Sequence, residues 1–214
     1  MKSVLIIGLG RFGIFMSKKL IEEGNEVLAI DKDEVRAESS LKYVRNVEIG
    51  DCTNEEFIRS LGVANFDICV VAIGDNFPSA LEITVLLKDF GAKFVIARAD
   101  TEVHKKLLLR NGADYVIYAE KETAERLAMK FGAKNVFDYI ELTPEYAIYE
   151  ISVPTPWVGK SIIEKSIRSK YNISILATKM GDVISPLPSP DHVFRRDETL
   201  IIMGHSTDVA PLLK

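Results

Sequence analysis

Six residues near the start of the chain, Gly8-Leu9-Gly10-Arg11-Phe12-Gly13, limit what it can fold into. They follow the apolar run Val4-Leu5-Ile6-Ile7, which reads as a buried strand. They precede Ile14 to Ile21, whose apolar positions recur at helical spacing and which Gly24 stops. This is G-x-G-x-x-G between a strand and a helix. The first glycine permits a tight turn, the second lets backbone approach a phosphate, and the third lets helix pack on strand. The helix start then offers free N–H groups to an anion. A second apolar run, Glu26 to Ile30, leads to Asp31 at the place of a ribose-binding carboxylate. Together these features point to a nucleotide with a free ribose 2′-OH.

The β-α alternation continues. A polar helix is expected from Asp33 to Lys42, and a strand over Val47-Glu48-Ile49. Thr53-Asn54-Glu55-Glu56 reads as a capping box opening a helix to Leu61. The run Asp67 to Ile73 is the near-continuous apolar stretch of a central parallel strand covered on both faces. Pro78 starts a helix to Phe90. Lys93 to Arg98 is a fifth strand, Thr101 caps a helix ending at Asn111-Gly112, and Asp114 to Tyr118 is a sixth strand. The expectation is α/β: a Rossmann-like, doubly wound parallel sheet with ligands beyond the strand C-terminal ends. It occupies 1–135 with a crossover helix, Glu120 to Phe131. A small C-terminal α+β domain occupies 140–214. There Asn135 to Thr143 leads to Pro144. Strands are expected over Glu145–Val153, Ile173–Met180 and Thr199–Met203, and a short helix over Val158–Ile167. Pro186 to Pro190 reads as a loop, and Ser206 or Thr207 as the cap of a last helix. About 70 residues barely supply one core, so this domain is expected to dimerise.

Composition narrows the function. The 214 residues carry a net charge of −4, which gives no electrostatic reason to expect nucleic acid as a partner. No apolar stretch approaches a membrane span. The first residues enter a strand directly, so no signal peptide and a cytoplasmic location are expected. Cys52 and Cys69 have no pairing or metal spacing. His104, His192 and His205 show no metal spacing and no evident acid partner. Gly159-Lys160-Ser161 resembles the tail of a P-loop, but Pro154 stands where its leading glycine belongs.

The crevice side of the sheet collects the candidate ligand-binding residues: Gly8, Gly10, Arg11, Phe12, Gly13, Asp31, Lys32, Asp51, Cys52, Ala72, Ile73, Gly74, Asn76, Arg98 and Glu120. Arg11 is the informative one. A guanidinium beside Gly10 suits a phosphate beyond the pyrophosphate of a hydride carrier, or it is a solvated loop residue. Asp31 binds ribose or caps the next helix. Asp51 accepts from a base amino group or closes a Gly-Asp turn. Ala72-Ile73-Gly74 admits a ligand or reverses the chain. Glu120 near polyphosphate suggests a divalent cation between them, or a carboxylate matched to a helix start.

Taken together, these segments resemble the RCK (KTN) regulatory subunits of bacterial potassium transporters, of the KtrA/TrkA type. The likeness rests on Ile7 to Gly13, Val27 to Asp31, Gly50-Asp51-Cys52-Thr53, Val71 to Gly74, His104 with Gly112-Ala113-Asp114, and Glu120-Lys121-Glu122. Gly159-Lys160-Ser161-Ile162, Ile175-Leu176-Ala177 and Leu200 to Gly204 extend it into the C-terminal part. Ala119 stands where that family usually has Pro. The resemblance implies a non-enzymatic, nucleotide-binding gating subunit. It implies a homo-oligomer, a dimer assembled into an octameric ring, at the inner face of the membrane under a KtrB/TrkH-like potassium-translocating subunit. ATP and ADP would compete for the crevice, with Arg11 on the terminal phosphate and Glu120 on a divalent cation (Mg or Ca). Some relatives bind cyclic di-AMP between C-terminal domains, where Arg168 matches a phosphate-facing position. The competing readings are an NAD(P)-dependent oxidoreductase using NAD/NADH and another soluble nucleotide sensor.

Overall fold

Six short apolar runs of the first unit line up as parallel strands. They are β1 (Ser3–Ile7), β2 (Glu26–Asp31), β3 (Asn46–Ile49), β4 (Ile68–Val71), β5 (Val95–Arg98) and β6 (Tyr115–Ile117), in the order β3-β2-β1-β4-β5-β6. β1 pairs with β2 on one side and β4 on the other, so Ile7 faces both Ile30 and Val71. The strand order reverses there. A crevice opens at such a point because the crossovers on either side leave in opposite directions. The computed structural model describes residues 1–132 and 135–213, and the chain divides into two compact units, Met1–Glu120 and Lys121–Lys214.

Alternate residues of these strands feed two cores, one on each face. Leu5, Ile7, Cys69 and Val71 pack with Ile83, Leu87 and Leu108. Val4, Ile6, Ala29 and Val70 form the other core, with Phe12 and Ile14 against it. The helices are α1 (Arg11–Glu22), α2 (Glu34–Ser40), α3 (Glu55–Ser60), α4 (Phe77–Asp89) and α5 (Glu102–Arg110). Strands covered on both faces need apolar side chains in both directions, hence their continuous runs.

The cap of α3 is Asn54 rather than Thr53. Its Oδ1 accepts from the amides of Glu56 and Phe57 at 2.9 and 3.2 Å. Thr53 is drawn the other way, its hydroxyl donating to Asp51 at 2.8 Å. β4 ends at Val71, two residues short of the apolar run, which frees Ala72 and Ile73 for the crevice edge.

The second unit is an antiparallel sheet. β7 (Val136–Glu141), β8 (Tyr146–Ser152), β9 (Ile173–Met180), β10 (Val183–Pro186) and β11 (Thr199–His205) lie in the order β10-β9-β11-β8-β7. β7 and β10 are strands beyond the three expected from sequence, and neither alternates apolar with polar residues over its length. They are edge strands, and Pro186 is tolerated at the end of one because an edge leaves amides unpaired anyway. The helix α6 (Ala119–Gly132) buries none of its described residues fully. Its Arg126 and Lys130 reach Asp138 at 3.5 and 3.8 Å, and Met129 packs on the core of this unit. The compact division therefore falls at Glu120, ahead of the boundary at 135 expected from sequence.

The helix expected over 158–167 is two pieces, α7 (Ile162–Lys165) and α8 (Ile167–Tyr171). Ser161 opens α7 with a reciprocal capping box to Glu164. Ser166, left-handed at φ 51°, breaks the run. A last helix, α9 (Ser206–Val209), is capped by the His205 ring, not by Ser206 or Thr207. His192 does have an acid partner. Its Nε2 lies 3.0 and 3.1 Å from the two oxygens of buried Glu198. The Arg195 amide also donates to that carboxylate.

Trp157 holds the second core. It is fully buried against Tyr171 and Phe194, and its Nε1 donates to the Tyr171 hydroxyl at 3.2 Å. Trp157→Ala is expected to cost about 3–5 kcal/mol in urea unfolding followed by circular dichroism. Tyr171→Phe, which orphans only the indole N–H, is expected to cost about 1 kcal/mol. A loss below about 1 kcal/mol for Trp157→Ala would contradict this role.

Candidate functional site: the glycine-loop crevice

The site begins with a turn that only glycine accommodates well. Gly8 follows β1 at φ +99°, and its amide donates to the Ile30 carbonyl at 2.8 Å. Gly13 sits where α1 crosses back over the loop. A Cβ there would lie 1.9 Å from the Gly8 carbonyl oxygen. Gly10, the residue before α1, has open space around it and an extended backbone. The three glycines thus divide the work: turn, open approach, close packing.

Asp31 fixes the loop from the neighbouring strand. It is 6% exposed. Its Oδ2 accepts from the Leu9 amide at 2.7 Å and its Oδ1 from the Asp33 amide at 2.9 Å. Each oxygen keeps a lone pair for a ribose hydroxyl. Asp31 does not cap α2. Asp33 does, accepting from the Arg36 amide at 3.0 Å.

A crevice of about 1120 Å³ opens beyond the strand ends. Every candidate ligand-binding residue lines it except Phe12 and Gly13, which pack beneath the loop. Asp51 closes a turn, accepting from the Thr53 amide and hydroxyl. The Thr53 amide, chiefly, holds its carboxyl below the usual range, and Asp51 still faces the crevice. Burial pushes the Cys52 thiol up to about 12, so it meets a ligand as an apolar wall. Arg11 is exposed and makes no hydrogen bond or ion pair among the described residues. Lys32, also exposed, is similarly placed at the rim.

The far side is charged. The Arg98 Nη2 donates to Glu120 Oε1 at 2.5 Å and lies 3.5 Å from Asp100 Oδ1. Glu120 is therefore engaged by a guanidinium. Among the described residues no group of three or more His, Cys, Asp or Glu could hold a metal ion. Asp100, Tyr118, Arg36 and Ser39 also line the crevice and escaped the sequence reading. The first two sit one or two residues past β5 and β6, where the same strand-end rule would find them. Arg168 is exposed on α8 in the second unit. His104 stacks on Phe77 at 3.8 Å, away from the crevice lining.

A glycine loop at a switch point, held by a ribose-type carboxylate, defines a nucleotide-binding domain of the Rossmann type, here followed by a small antiparallel domain. Family models agree with that division: the TrkA-N domain matches residues 4–119 and the TrkA-C domain 146–214. Ktr system potassium uptake protein C of Bacillus subtilis is 36% identical over 98% of this chain and 95% of its own length. Ktr system potassium uptake protein A of the same organism is 36% identical over 97% and 94%. The chain belongs to this family of TrkA-N/TrkA-C proteins, alongside the Ktr potassium uptake proteins. Among solved structures, the GsuK channel bound to NAD shares the fold with a TM-score of 0.72 at 20% identity. That likeness covers 99% of this chain and 38% of the channel chain.

The glycine geometry separates folding from binding. Gly13→Ala is expected to destabilise the chain by at least about 1–3 kcal/mol, because backbone must move. Gly10→Ala is expected to leave the melting temperature within about 2 °C while weakening any phosphate ligand. Equal thermal losses in the two variants would contradict the assignment. Cys52 and Cys69, both held near 12 by burial, are expected to resist an aromatic disulfide reagent at pH 8 until the chain unfolds.

Proposed function

We propose that this chain is the nucleotide-operated regulatory subunit of a Ktr-type potassium uptake system, binding adenine nucleotides in the glycine-loop crevice and exerting no catalysis. Family membership supports the potassium-transport part. The observation that carries the nucleotide part is Arg11, an unpaired guanidinium at the first turn of α1 and on the crevice wall. A pyrophosphate is held by loop amides and a helix start without it. A third phosphate adds charge that a guanidinium can take in two parallel hydrogen bonds.

The physics of the switch is differential binding. A ligand moves a two-state equilibrium only by binding one state more tightly. Reversal from 1:99 to 99:1 requires about 5.5 kcal/mol. One charge-assisted contact contributes about 1.5–3 kcal/mol. Repetition of the Arg11 contact around a symmetric oligomer supplies the remainder, which is why an octameric ring of dimers belongs to the proposal. The ring would sit at the inner face of the membrane against a potassium-translocating subunit. No helix among the described residues is long and apolar enough to cross a membrane. A divalent cation beside Glu120 would draw its remaining ligands from phosphate oxygens and a second protomer. Cyclic di-AMP at paired C-terminal domains, facing Arg168, rests on resemblance alone.

The test is calorimetric titration of ADP and ATP into the wild type and Arg11→Ala. The variant is expected to keep ADP affinity within about twofold and to lose about ten- to a hundredfold for ATP. Equal loss for both nucleotides would overturn the assignment of Arg11 to the terminal phosphate.

A further inference from the structure

Beside the nucleotide crevice lies a smaller notch of about 270 Å³. Phe15 and Lys18 reach it from α1, Lys42 and Tyr43 from the turn after α2. Arg11, Ile14 and Ser39 border the notch and the crevice alike. The charges in the notch are unbalanced. The Lys18 ammonium lies 3.2 Å from the centre of the Tyr43 ring, and the Lys42 ammonium 4.8 Å from the same centre. Arg11 adds a guanidinium, and among the described residues none of the three cations pairs with a carboxylate. Lys19, the next residue on α1, has Glu23 at 2.8 Å and Glu22 at 3.5 Å. The carboxylates at that end of α1 are thus taken up away from the notch. Two ammonium groups drawn onto one ring hold like charges close together, which is unfavourable until an anion joins them. The Tyr43 phenol feels the same field: Lys42 chiefly, and the Lys18 charge after it, hold it below its usual range.

We infer that this notch is a second anion site, taking a phosphate monoester group between Lys18 and Lys42 over Tyr43, with Arg11 completing it. A phosphate monoester carries about 1.5 to 2 negative charges at pH 7 and three acceptor oxygens, one for each cation. A carboxylate has one charge and two oxygens. Ile14 and the exposed Phe15 give the wall an apolar side that suits an organic tail on the phosphate. The group can arrive on a small free phosphate or on a lipid headgroup. Arg11 couples the notch to the crevice, and this coupling rests on the nucleotide reading proposed above. A guanidinium drawn into the notch is lost to the third phosphate of ATP, whereas ADP does not use it. An anion in the notch therefore lowers ATP affinity relative to ADP, and ATP lowers affinity for that anion by the same factor.

The experiment compares the full-length wild type with Lys18→Ala/Lys42→Ala. Lys18→Gln/Lys42→Gln serves if the alanine pair does not melt cooperatively. Lys105→Ala/Lys106→Ala removes the same charge from α5, outside the notch. Equilibrium dialysis against radiolabelled inorganic phosphate, with excess ADP in the crevice, counts bound phosphate. Sedimentation with phosphatidylcholine vesicles, with and without phosphatidic acid, tests the lipid source. The wild type and the α5 variant are expected to bind about one phosphate per chain more than the alanine pair, or to sediment at least about fivefold more with phosphatidic acid. The first result identifies a free phosphate, the second a headgroup. Equal behaviour of wild type and alanine pair in both assays, or an equal loss in the α5 variant, would overturn the site. With the bound anion present, the ratio of ATP to ADP affinity is expected to fall at least about threefold in the wild type and to hold within about 1.5-fold in the alanine pair. A ratio unmoved in the wild type, or moved equally in both, would overturn the sharing of Arg11. A wild type that binds neither nucleotide would overturn the nucleotide reading and the coupling, while the phosphate count and the sedimentation still decide the notch.

Discussion

The Leu9 amide donates to Asp31 Oδ2 at 2.7 Å, and the site is arranged around that bond. It joins the glycine loop after β1 to the end of β2, which the sheet already holds in register through Ile7 and Ile30. A carboxylate this buried is stable only with donors around it, and both oxygens have one from backbone. The same oxygens face the crevice. One side chain therefore sets the loop's shape and presents the ribose-type acceptor, so neither property can drift without the other.

From that fixed point the crevice acquires a gradient of function. The β2–β3 side is walled by Asp51, whose turn holds it ionised, and by the buried thiol of Cys52. In the middle, the glycine loop and the start of α1 supply amides and one uncommitted guanidinium, that of Arg11. On the β5–β6 side the guanidinium of Arg98 is already committed to carboxylates. Two arginines in one crevice thus stand in opposite states. One is available to incoming phosphate charge, and the other is neutralised by its own chain. That asymmetry is what the proposed discrimination between di- and triphosphates rests on.

Much of this was legible in the sequence because the signals are local. The glycine spacing, the strand before it and the carboxylate after β2 each follow from backbone geometry that one short segment dictates. The parallel strands were legible because burial on both faces leaves uninterrupted apolar runs. What escaped depends on partners distant in the chain. Edge strands β7 and β10 need only one buried face or none, so their sequences carry no period. The pairing of His192 with Glu198 arises because a buried carboxylate must find a donor, and nothing in the spacing of those residues announces it. The break at Ser166 needs a left-handed residue that is not glycine, which sequence patterns do not flag. Arg98 was placed at the crevice, but its pairing with Glu120 and Asp100 required the positions of two strand ends at once.

The most direct test of the central claim is calorimetric titration of ADP into the wild type and Asp31→Asn. Asn keeps an acceptor for the Leu9 amide but turns its NH2 towards the Asp33 amide, so the free variant is expected to lose about 1–3 kcal/mol of stability and still unfold cooperatively. One ADP is expected per wild-type chain, with affinity falling at least about tenfold in the variant at a temperature where both proteins are folded. Undiminished ADP affinity in Asp31→Asn, or no ADP bound by the wild type, would contradict it.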